Sequence, residues 1–225
     1  MKGLYFTIFF AFSLIVSSQT PVASWLWAKG FPVNGVNEGM ACAVDPSGNI
    51  ISAGFMTTTL SCGTTTLPNN GIQDIFLIKQ DANGNVLWAQ SFGGTSNDLG
   101  LGVATDALGN IFLTGSFVSP TIVFGSSTLT SGGGEPVFLV KLSPAGNVLW
   151  AKRSASMQNF TCRSNGVAVD PQGNPSIAGF FNVALITFGT FSVTQTAAVG
   201  AFVAKYDAAG NELWARGPAA SNGAT

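Results

Sequence analysis

The sequence contains no histidine and few charged residues. Histidine is the commonest general base and transition-metal ligand in proteins, so its absence from all 225 residues excludes several classes of enzyme and metal site. Charged residues make up 8% of the chain, and ten acidic groups against nine basic groups leave a formal net charge of −1. Such a chain lacks the basic surface that attracts nucleic acid or anionic membranes, so we expect neither as a partner.

Long apolar runs are confined to the amino terminus. Lys2 gives a positive start, Leu4 to Val16 is a 13-residue stretch dominated by apolar side chains, and Ser17-Ser18 supplies small residues before Gln19. This order is typical of a secretion signal, and the stretch is shorter than the ~20 residues that cross a bilayer. We therefore predict a signal peptide at residues 1–18 and a secreted or surface-exposed chain that is not an integral membrane protein. A buried strand or a membrane anchor is the alternative.

The chain does contain a repeat built around the pair Trp-Ala. Four copies are present, each followed by a basic or amide residue: Trp27-Ala28-Lys29, Trp88-Ala89-Gln90, Trp150-Ala151-Lys152 and Trp214-Ala215-Arg216. The intervals between them are 61, 62 and 64 residues. A large residue that returns at a nearly fixed period indicates one supersecondary unit stacked repeatedly.

Each repeat also contains two short motifs with Gly and Asn at fixed positions. The first motif supplies the predicted structural turn residues Asp45, Gly48, Asn49, Asp106, Gly109, Asn110, Asp170, Gly173 and Asn174. The second spans residues 81–85, 143–147 and 207–211. An Asp or Ser that bonds to the backbone ahead, followed by a Gly free to take positive φ, predicts a hairpin turn. Each turn offers at most one carboxylate, whereas a calcium loop gathers several oxygens, so we predict structural turns, no metal and no cofactor.

Four strands per repeat lie around these turns. In the first repeat they are strand a at Met40–Val44, strand b at Ile50–Phe55, strand c at Ile75–Gln80 and strand d at Val86–Phe92. β-Branched and aromatic residues crowd these segments, and helical periodicity is absent. Four antiparallel strands every ~62 residues predict an all-β propeller, with a string of small sandwiches as the alternative. The four Trp residues are then expected to pack blade against blade.

The second repeat resembles a known family. The stretches Trp88 to Gly94, Gly102 to Asp106 and Gly109 to Gly115 look like the SBBP-type β-propeller repeat of secreted bacterial proteins. The resemblance extends over residues 25 to 217 and departs from the pattern at Cys62 and Ser143. It implies a propeller in an exported protein and is nearly silent on activity, because such repeats occur in exported proteins of diverse role.

The strand count predicts an incomplete ring. A propeller domain at 19–225 would hold a lone d-like strand at 25–31 and the start of a further blade after 220, since that segment matches residues 95–98. The three complete blades are predicted at residues 39–93, 100–153 and 166–217. Because propellers have at least four blades, we expect a fragment of a longer protein. The alternative is a ring closed by self-association through open blade faces.

Two residue types leave alternatives open. Cys42 and Cys62 could form a disulfide with Cys162 left over, but both align with apolar positions of the other repeats and so are expected to pack as small hydrophobes. Lysine recurs on strand c at positions 79, 141 and 205. A row of cations could bind an anionic polymer, although we favour lysine stems that cover strand surfaces.

The connections opposite the tight turns are the predicted functional face. The b–c connections at about 56–74, 117–136 and 181–200 fall there with the d–a loops, and function concentrates on loops held by a rigid scaffold. We therefore predict ligand contacts at Asn97, Asp98 and Asn159, the last within a glycosylation sequon.

Two functions fit this architecture. The leading hypothesis is a non-enzymatic secreted scaffold that binds a protein or a glycan, because an assembled acid, base or nucleophile is not apparent in the sequence. The alternative is a polysaccharide hydrolase that uses paired carboxylates. The acidic residues outside the tight turns, or beside one, are Glu38, Asp74, Asp98, Glu135 and Glu212.

Overall fold

The structure is a computed structural model that describes residues 27–31, 35–155 and 160–218. Within these ranges the chain forms strands, turns and loops and no helix. No helix there is long and apolar enough to cross a membrane. The predicted signal peptide and the predicted start of a further blade lie outside the described residues.

In the part of the chain that the structure describes, eighteen strands follow one another in three groups of six. The first group is β1 (Asn37–Val44), β2 (Ile50–Met56), β3 (Leu60–Cys62), β4 (Thr65–Leu67), β5 (Asp74–Gln80) and β6 (Val86–Phe92). The second is β7 (Asp98–Thr105), β8 (Ile111–Phe117), β9 (Thr121–Phe124), β10 (Ser127–Thr130), β11 (Val137–Leu142) and β12 (Val148–Arg153). The third is β13 (Cys162–Val169), β14 (Pro175–Phe181), β15 (Leu185–Phe188), β16 (Phe191–Thr194), β17 (Gly200–Tyr206) and β18 (Glu212–Arg216).

Each group contains one four-stranded antiparallel sheet, here called blades 1, 2 and 3. The strand orders are β1-β2-β5-β6, β7-β8-β11-β12 and β13-β14-β17-β18, so strands a to d form a simple meander. The predicted all-β fold with four-stranded antiparallel blades is confirmed. Blade 1 matches the predicted strands to within three residues, because Gly and Asn fix the ends of the turns.

The core lies between neighbouring blades. Residues adjacent in sequence on β11 point in opposite directions: Phe138 packs between blades 1 and 2, whereas Leu139 packs between blades 2 and 3. Every side chain of β11 is therefore buried. A strand covered on both faces has a continuous apolar sequence rather than an alternating one, as Val137–Leu142 does.

A glycine in strand b makes room for a bulge in strand a. The register of β7 shifts between Gly100 and Gly102, opposite Gly115 of β8, and the same irregularity occurs in the other two blades. A Cβ atom at Gly115 would collide with the carbonyl oxygen of Leu99. The Ala-Gly or Thr-Gly step in each repeat is thus a steric requirement of the bulge.

The b–c connections differ from the predicted long loops. The middle of each one folds into a two-stranded hairpin, namely β3-β4, β9-β10 or β15-β16. The hairpin tip returns to the start of strand d, since a Cβ atom on Gly125 would lie 3.0 Å from Cβ of Val148. Ile122 and Phe124 of β9 are buried while Val123 is exposed. This alternation, which fastens the hairpin to the blade, was the signal available in the sequence.

The described part of the predicted N-terminal strand, residues 27–31, is not a β-strand. Residues 27–31 have no strand partner within the described residues, so no ladder exists, and the segment contacts the c–d turn of blade 1 through its side chains. Strand d of each blade, by contrast, pairs with its own strand c. Residues 27–31 are called the N-terminal segment below.

The cysteines of the first repeat are not joined to each other in the structure. Cys62 is fully buried in the core under the β3-β4 hairpin, as its apolar position predicts, and this burial raises the pKa of its thiol to about 11. Cys42 was also predicted at an apolar position but is exposed. Its equivalent Val103 faces the preceding blade, whereas the same face of β1 is left uncovered in the described residues.

Candidate functional site

The aspartate carboxylates of the tight turns accept hydrogen bonds from residues of their own turns. Oδ1 of Asp45 accepts the backbone N–H groups of Ser47 and Asn49 at 2.9 Å, and Oδ2 accepts the Asn49 amide at 2.9 Å. Gly48 takes the required positive φ of 80°. The same arrangement of bonds is present at Asp106, Gly109, Asn110, Asp170, Gly173 and Asn174. These turns hold the hairpins together. Groups of three or more metal-ligating side chains are absent from the described part of the chain.

The Trp-Ala repeats join each blade to the next one. The indole N–H of Trp88 donates to the carbonyl oxygen of Pro144 at 3.2 Å, in the c–d turn of blade 2. Trp150 makes the equivalent bond to Ala208 of blade 3 at 3.3 Å. A Cβ atom on Gly210 would lie 2.9 Å from the Trp150 ring, so the turn glycine also lets the indole pack flat against the backbone.

The N-terminal segment makes the same contact on blade 1. Trp27 donates its indole N–H to the carbonyl oxygen of Ala82 at 2.9 Å. Lys29 donates to the carbonyl oxygen of Gly84 at 2.8 Å, just as Gln90 donates to Gly146 at 2.9 Å. The residue that follows Trp-Ala is therefore a second donor to the neighbouring turn. The segment occupies the place that strand d of a preceding blade would take.

Two of the three recurrent lysines, Lys79 and Lys141, are buried rather than spread over a solvated surface, and the third, Lys205, is half-buried. The ammonium group of Lys79, a residue 5% exposed, lies 2.8 Å from Oδ2 of Asp45 and 3.1 Å from the carbonyl oxygen of Pro144. Lys141 bonds to Ala208 at 3.1 Å in the same way, and its nitrogen lies 4.0 Å from Oδ2 of Asp106. These two lysines thus connect the a–b turn of their own blade to the c–d turn of the next and are not available to an anionic polymer.

The ion pairs lower the pKa values of two aspartates in the a–b turns, Asp45 and Asp170. Burial by itself raises the pKa of Asp45, but hydrogen bonds from Lys79 and Asn49 outweigh it and lower the pKa to about 2. The hydrogen bond from Lys205 at 2.7 Å holds the pKa of Asp170 well below its usual range. The sequence placed a lysine at one register position of every strand c and an aspartate in every a–b turn. That coincidence was the signal for the pairing.

On the opposite edge, Asp98 fastens two loops together. Its Oδ2 accepts the N–H of Gly94 and the hydroxyl of Ser119, both at 2.7 Å, and its Oδ1 accepts the N–H groups of Val118 and Ser119 at 3.2 Å. The side chain is fully buried. Asp98 therefore shapes the loop face from beneath instead of presenting its carboxylate to a ligand.

Around Asp98 lies a surface that we call the loop-face patch, formed by the exposed residues Ile72, Thr95 and Val118 and the half-buried Asn97. Ile72 is 60% exposed and Val118 is 36% exposed. The N–H of Ile72 donates to Ser96 at 3.1 Å, and the N–H of Val118 donates to the carbonyl oxygen of Asn97 at 2.8 Å. The backbone of the patch is thus held in place by bonds across the two loops. Oδ1 of Asn97 is buried and has no hydrogen-bond partner within the described residues.

A second buried carboxylate lies close to Asp98. Oδ2 of Asp74 accepts the N–H of Asn70 at 2.6 Å, whereas Oδ1 packs against Gly93 and has no partner within the described residues. Burial raises the pKa of Asp74 to about 6, and the nearby charge of Asp98 adds to the effect. Asn159, the third predicted ligand residue, lies outside the described residues.

Substitution of Asp74 by Asn is expected to remove a pH-dependent loss of stability. A folded pKa of about 6 lies above the ordinary value of 3.8, so folding favours the protonated acid. That contribution is complete below about pH 4 and is lost as the pH rises through 6. Urea unfolding of the wild type and of Asp74→Asn at several pH values should show the variant gaining roughly 2 to 3 kcal/mol relative to the wild type between pH 4 and 7. If the difference in unfolding free energy between Asp74→Asn and the wild type stays constant with pH, the raised pKa of Asp74 is contradicted.

No protein-family model matches the chain. An uncharacterized WD repeat-containing protein of Acanthamoeba polyphaga mimivirus is 29% identical to it over 228 residues, which cover 85% of this chain and 16% of that protein. The chain therefore spans less than a fifth of this relative. A protein of unknown function from Bacteroides caccae aligns at 10% identity and a TM-score of 0.30 over 83% of this chain and 84% of its own. The WD-repeat relative and the four-stranded antiparallel blades together make this chain a propeller-like repeat protein.

Proposed function

We propose that this chain is a secreted or surface-exposed, non-enzymatic scaffold that binds a protein or a glycan on its loop-face patch. The observation that carries the proposal is the unequal use of the two blade edges. The tight-turn edge is occupied by contacts between blades, through Trp88, Trp150, Lys79 and Lys141. On the other edge, the patch remains exposed on a fixed backbone.

The chemistry of the patch indicates the ligand class. Two exposed aliphatic side chains, Ile72 and Val118, flank the polar Thr95 and Asn97, and none of the four carries a charge. A neutral surface of apolar area with a few polar groups suits a sugar or a protein surface. It does not suit a polyanion, which needs clustered Lys or Arg.

Export from the cell and membership of the SBBP-type repeat family are part of the same proposal. The positive start, apolar run and small residues of positions 1–18 support passage through a secretion system. The resemblance to SBBP-type repeats, carried by residues such as Gly109 to Gly115, supports a bacterial exported protein. Cell fractionation that finds the chain in the cytoplasm with its first 18 residues intact would remove this part of the proposal.

Binding is tested by a glycan array and by pull-down from extracellular protein, followed by affinity measurements on surface variants. Ile72→Ser and Val118→Ser should each weaken binding by about tenfold, or ~1.4 kcal/mol, because each removes exposed contact area without disturbing the core. Leu108→Ser is the matched control, since Leu108 is 80% exposed in the tight turn of the opposite edge. Equal losses from the patch and control variants would remove the patch from the binding site.

The enzymatic alternative is favoured by one observation only. Asp74 and Asp98 form a carboxylate pair, and a pKa of about 6 is suitable for a general acid. Both residues are fully buried, however, so a polysaccharide has no route to either carboxylate in this conformation. A polysaccharide-hydrolysis screen discriminates the two functions: turnover that Asp98→Asn abolishes while the variant stays folded would replace the binding scaffold with a hydrolase.

A further inference from the structure

We propose that Asp74 and Asp98 form a latch beneath the loop-face patch, which is closed when Asp74 carries a proton and loosens when that proton is lost. The two residues begin β5 and β7, so the latch lies between blades 1 and 2. It rests on the proposed function only in its consequence, which is a pH dependence of ligand binding at the patch.

The backbone places the two carboxyl groups side by side. Gln73 and Asn97 form a parallel β-bridge. The residues that follow them, Asp74 and Asp98, therefore neighbour each other and point to the same side. Both are fully buried. Two carboxylates that are neighbours in a buried site repel each other strongly when both are ionised, so the pair favours a state in which one of them holds a proton.

Hydrogen-bond donors decide which of the two acids holds the proton. The oxygens of Asp98 accept four hydrogen bonds from the loops around it. Oδ2 of Asp74 accepts the N–H of Asn70, but its Oδ1 has no partner within the described residues. Because donors stabilise the charged form of a carboxyl group, Asp98 stays ionised and the proton lies on Oδ1 of Asp74.

The latch joins two loops that touch backbone to backbone. We call residues 69–73 the Ile72 loop and residues 94–97 the Asn97 loop. The N–H of Ile72 donates to the carbonyl oxygen of Ser96 at 3.1 Å. A Cβ atom at Gly71 would lie 2.7 Å from the same oxygen. The closed latch thus depends on close contact between the two loops.

Basic residues are scarce in this half of the sequence. Lys79 is the one basic residue between positions 30 and 140. Its ammonium group bonds to Asp45 and to the carbonyl oxygen of Pro144, both at the tight-turn edge of the blades. It is therefore committed to the edge opposite the latch, and an ionised Asp74 gains no stabilisation from it.

The elements packed against Asp74 place uncharged groups beside it, apart from Asp98 on β7. Its strand neighbours are Met56 on β2 and Gly93 after β6. The Ile72 loop and the Asn97 loop consist of neutral residues. Burial and the charge of Asp98 therefore govern the protonation of Asp74, and together they raise its pKa from 3.8 to about 6.

Loss of the proton separates the two loops. An ionised Asp74 needs water at Oδ1, and water reaches this atom when the Ile72 loop moves away from the Asn97 loop. The Asn97 loop stays in place, because Asp98 accepts hydrogen bonds from Val118 and Ser119. Ile72 and Val118 then no longer form one surface.

Ligand binding at the patch should follow the protonation of Asp74. The four residues of the patch do not titrate, so the pH dependence of binding a neutral ligand comes from the latch. The folded pKa of Asp74 is above its ordinary value, so the stabilisation of the closed form is complete below about pH 4. It is lost as the pH rises through 6, and the patch binds more weakly at neutral pH.

Hydrogen exchange of the full chain, followed by NMR without any ligand, tests the latch. The protection factor of the Ile72 amide should fall by at least about tenfold between pH 4.5 and pH 7, since the closed form loses stability over that range. Low concentrations of urea should not accelerate this exchange, because separation of two loops exposes little surface. The Val118 amide, on the side that Asp98 fastens, should stay better protected than that of Ile72 at pH 7.

Two variants with the same chemical change refine the test. Asp74→Asn replaces the acid by a neutral group of the same shape as its protonated form, so the protection factor of Ile72 should no longer depend on pH. Asp81→Asn is the matched control, because Asp81 belongs to the c–d turn at the tight-turn edge. It should keep the pH dependence of the wild type.

Two results would overturn the proposal. The first is a protection factor of Ile72 in the wild type that does not change with pH. The second is exchange of Ile72 that accelerates with urea as steeply as that of Leu113 in the core, because the loops would then separate only when the whole fold opens. Both measurements omit the ligand, so they stand if the patch binds nothing. A failed latch likewise leaves the affinity tests of Ile72→Ser and Val118→Ser unaffected.

Discussion

Replacement of Lys79 by methionine is expected to lower the free energy of unfolding by about 3 to 5 kcal/mol. The substitution retains much of the apolar stem but leaves the carboxylate of Asp45 buried without its cation. It also removes one of the two donors to the carbonyl oxygen of Pro144, which connects blade 1 to blade 2. Urea unfolding at pH 7 measures the loss.

Lys205→Met is the matched control for Lys79→Met. Lys205 has the same position on strand c and pairs with Asp170, but its side chain is 25% exposed and it does not reach a turn of another blade within the described residues. Its replacement should cost clearly less than that of Lys79. Equal losses would show that the contact between blades adds nothing to the ion pair.

The pH dependence of the Lys79 variant provides a second test of the same pair. The folded pKa of about 2 for Asp45 lies below its ordinary value, so the pair stabilises the fold above about pH 4. That stabilisation is lost as the pH falls towards 2. Unfolding measured from pH 2 to 7 should therefore show a smaller gain with pH in Lys79→Met than in the wild type.

The substitution Gly115→Ala is expected to cost about 3 kcal/mol or more. A Cβ atom there would collide with the carbonyl oxygen of Leu99, and backbone on a strand buried from both sides cannot move away without disturbing both blade contacts. The loss should be visible as a lower midpoint of urea unfolding and a lower melting temperature.

Gly166→Ala is the control for Gly115→Ala. Gly166 belongs to the bulge of blade 3, but an added Cβ atom there meets nothing within 4 Å. The free energy of unfolding of the Gly166→Ala variant should differ from that of the wild type by no more than about 0.5 kcal/mol. If Gly115→Ala is tolerated as well as Gly166→Ala, the bulge is not sterically required.

The sequence predicted those parts of the fold that depend on local chemistry. The Asp-x-x-Gly-Asn turns are fixed by bonds within five residues, so the strand ends could be placed from Gly48 and its equivalents. The β9-β10 hairpin was missed because its strands are only four residues long and its composition resembles that of a loop. The alternation of Ile122, Val123 and Phe124 carried the signal.

Contacts between distant residues were harder to predict. Lys79 lies on strand c and Asp45 in the a–b turn, and Pro144 belongs to another blade, so the burial of the lysine depends on the stacking of two repeats. Similarly, Asp98 was predicted to contact a ligand on the loop face but is buried, because the neighbouring b–c connection folds over it. Ile72 and Val118, which form most of the exposed patch, were not among the predicted site residues.

The exchange rates of the tryptophan indole protons test the central claim, the docking of each Trp-Ala repeat on the turn of the next blade. Hydrogen exchange followed by NMR in dilute solution should show the Trp88 and Trp150 indole protons exchanging at least tenfold more slowly than that of Trp214, since the first two donate to a neighbouring turn and Trp214 has no such acceptor among the described residues. If all three protons exchange at the same rate, the blades are not joined in this way.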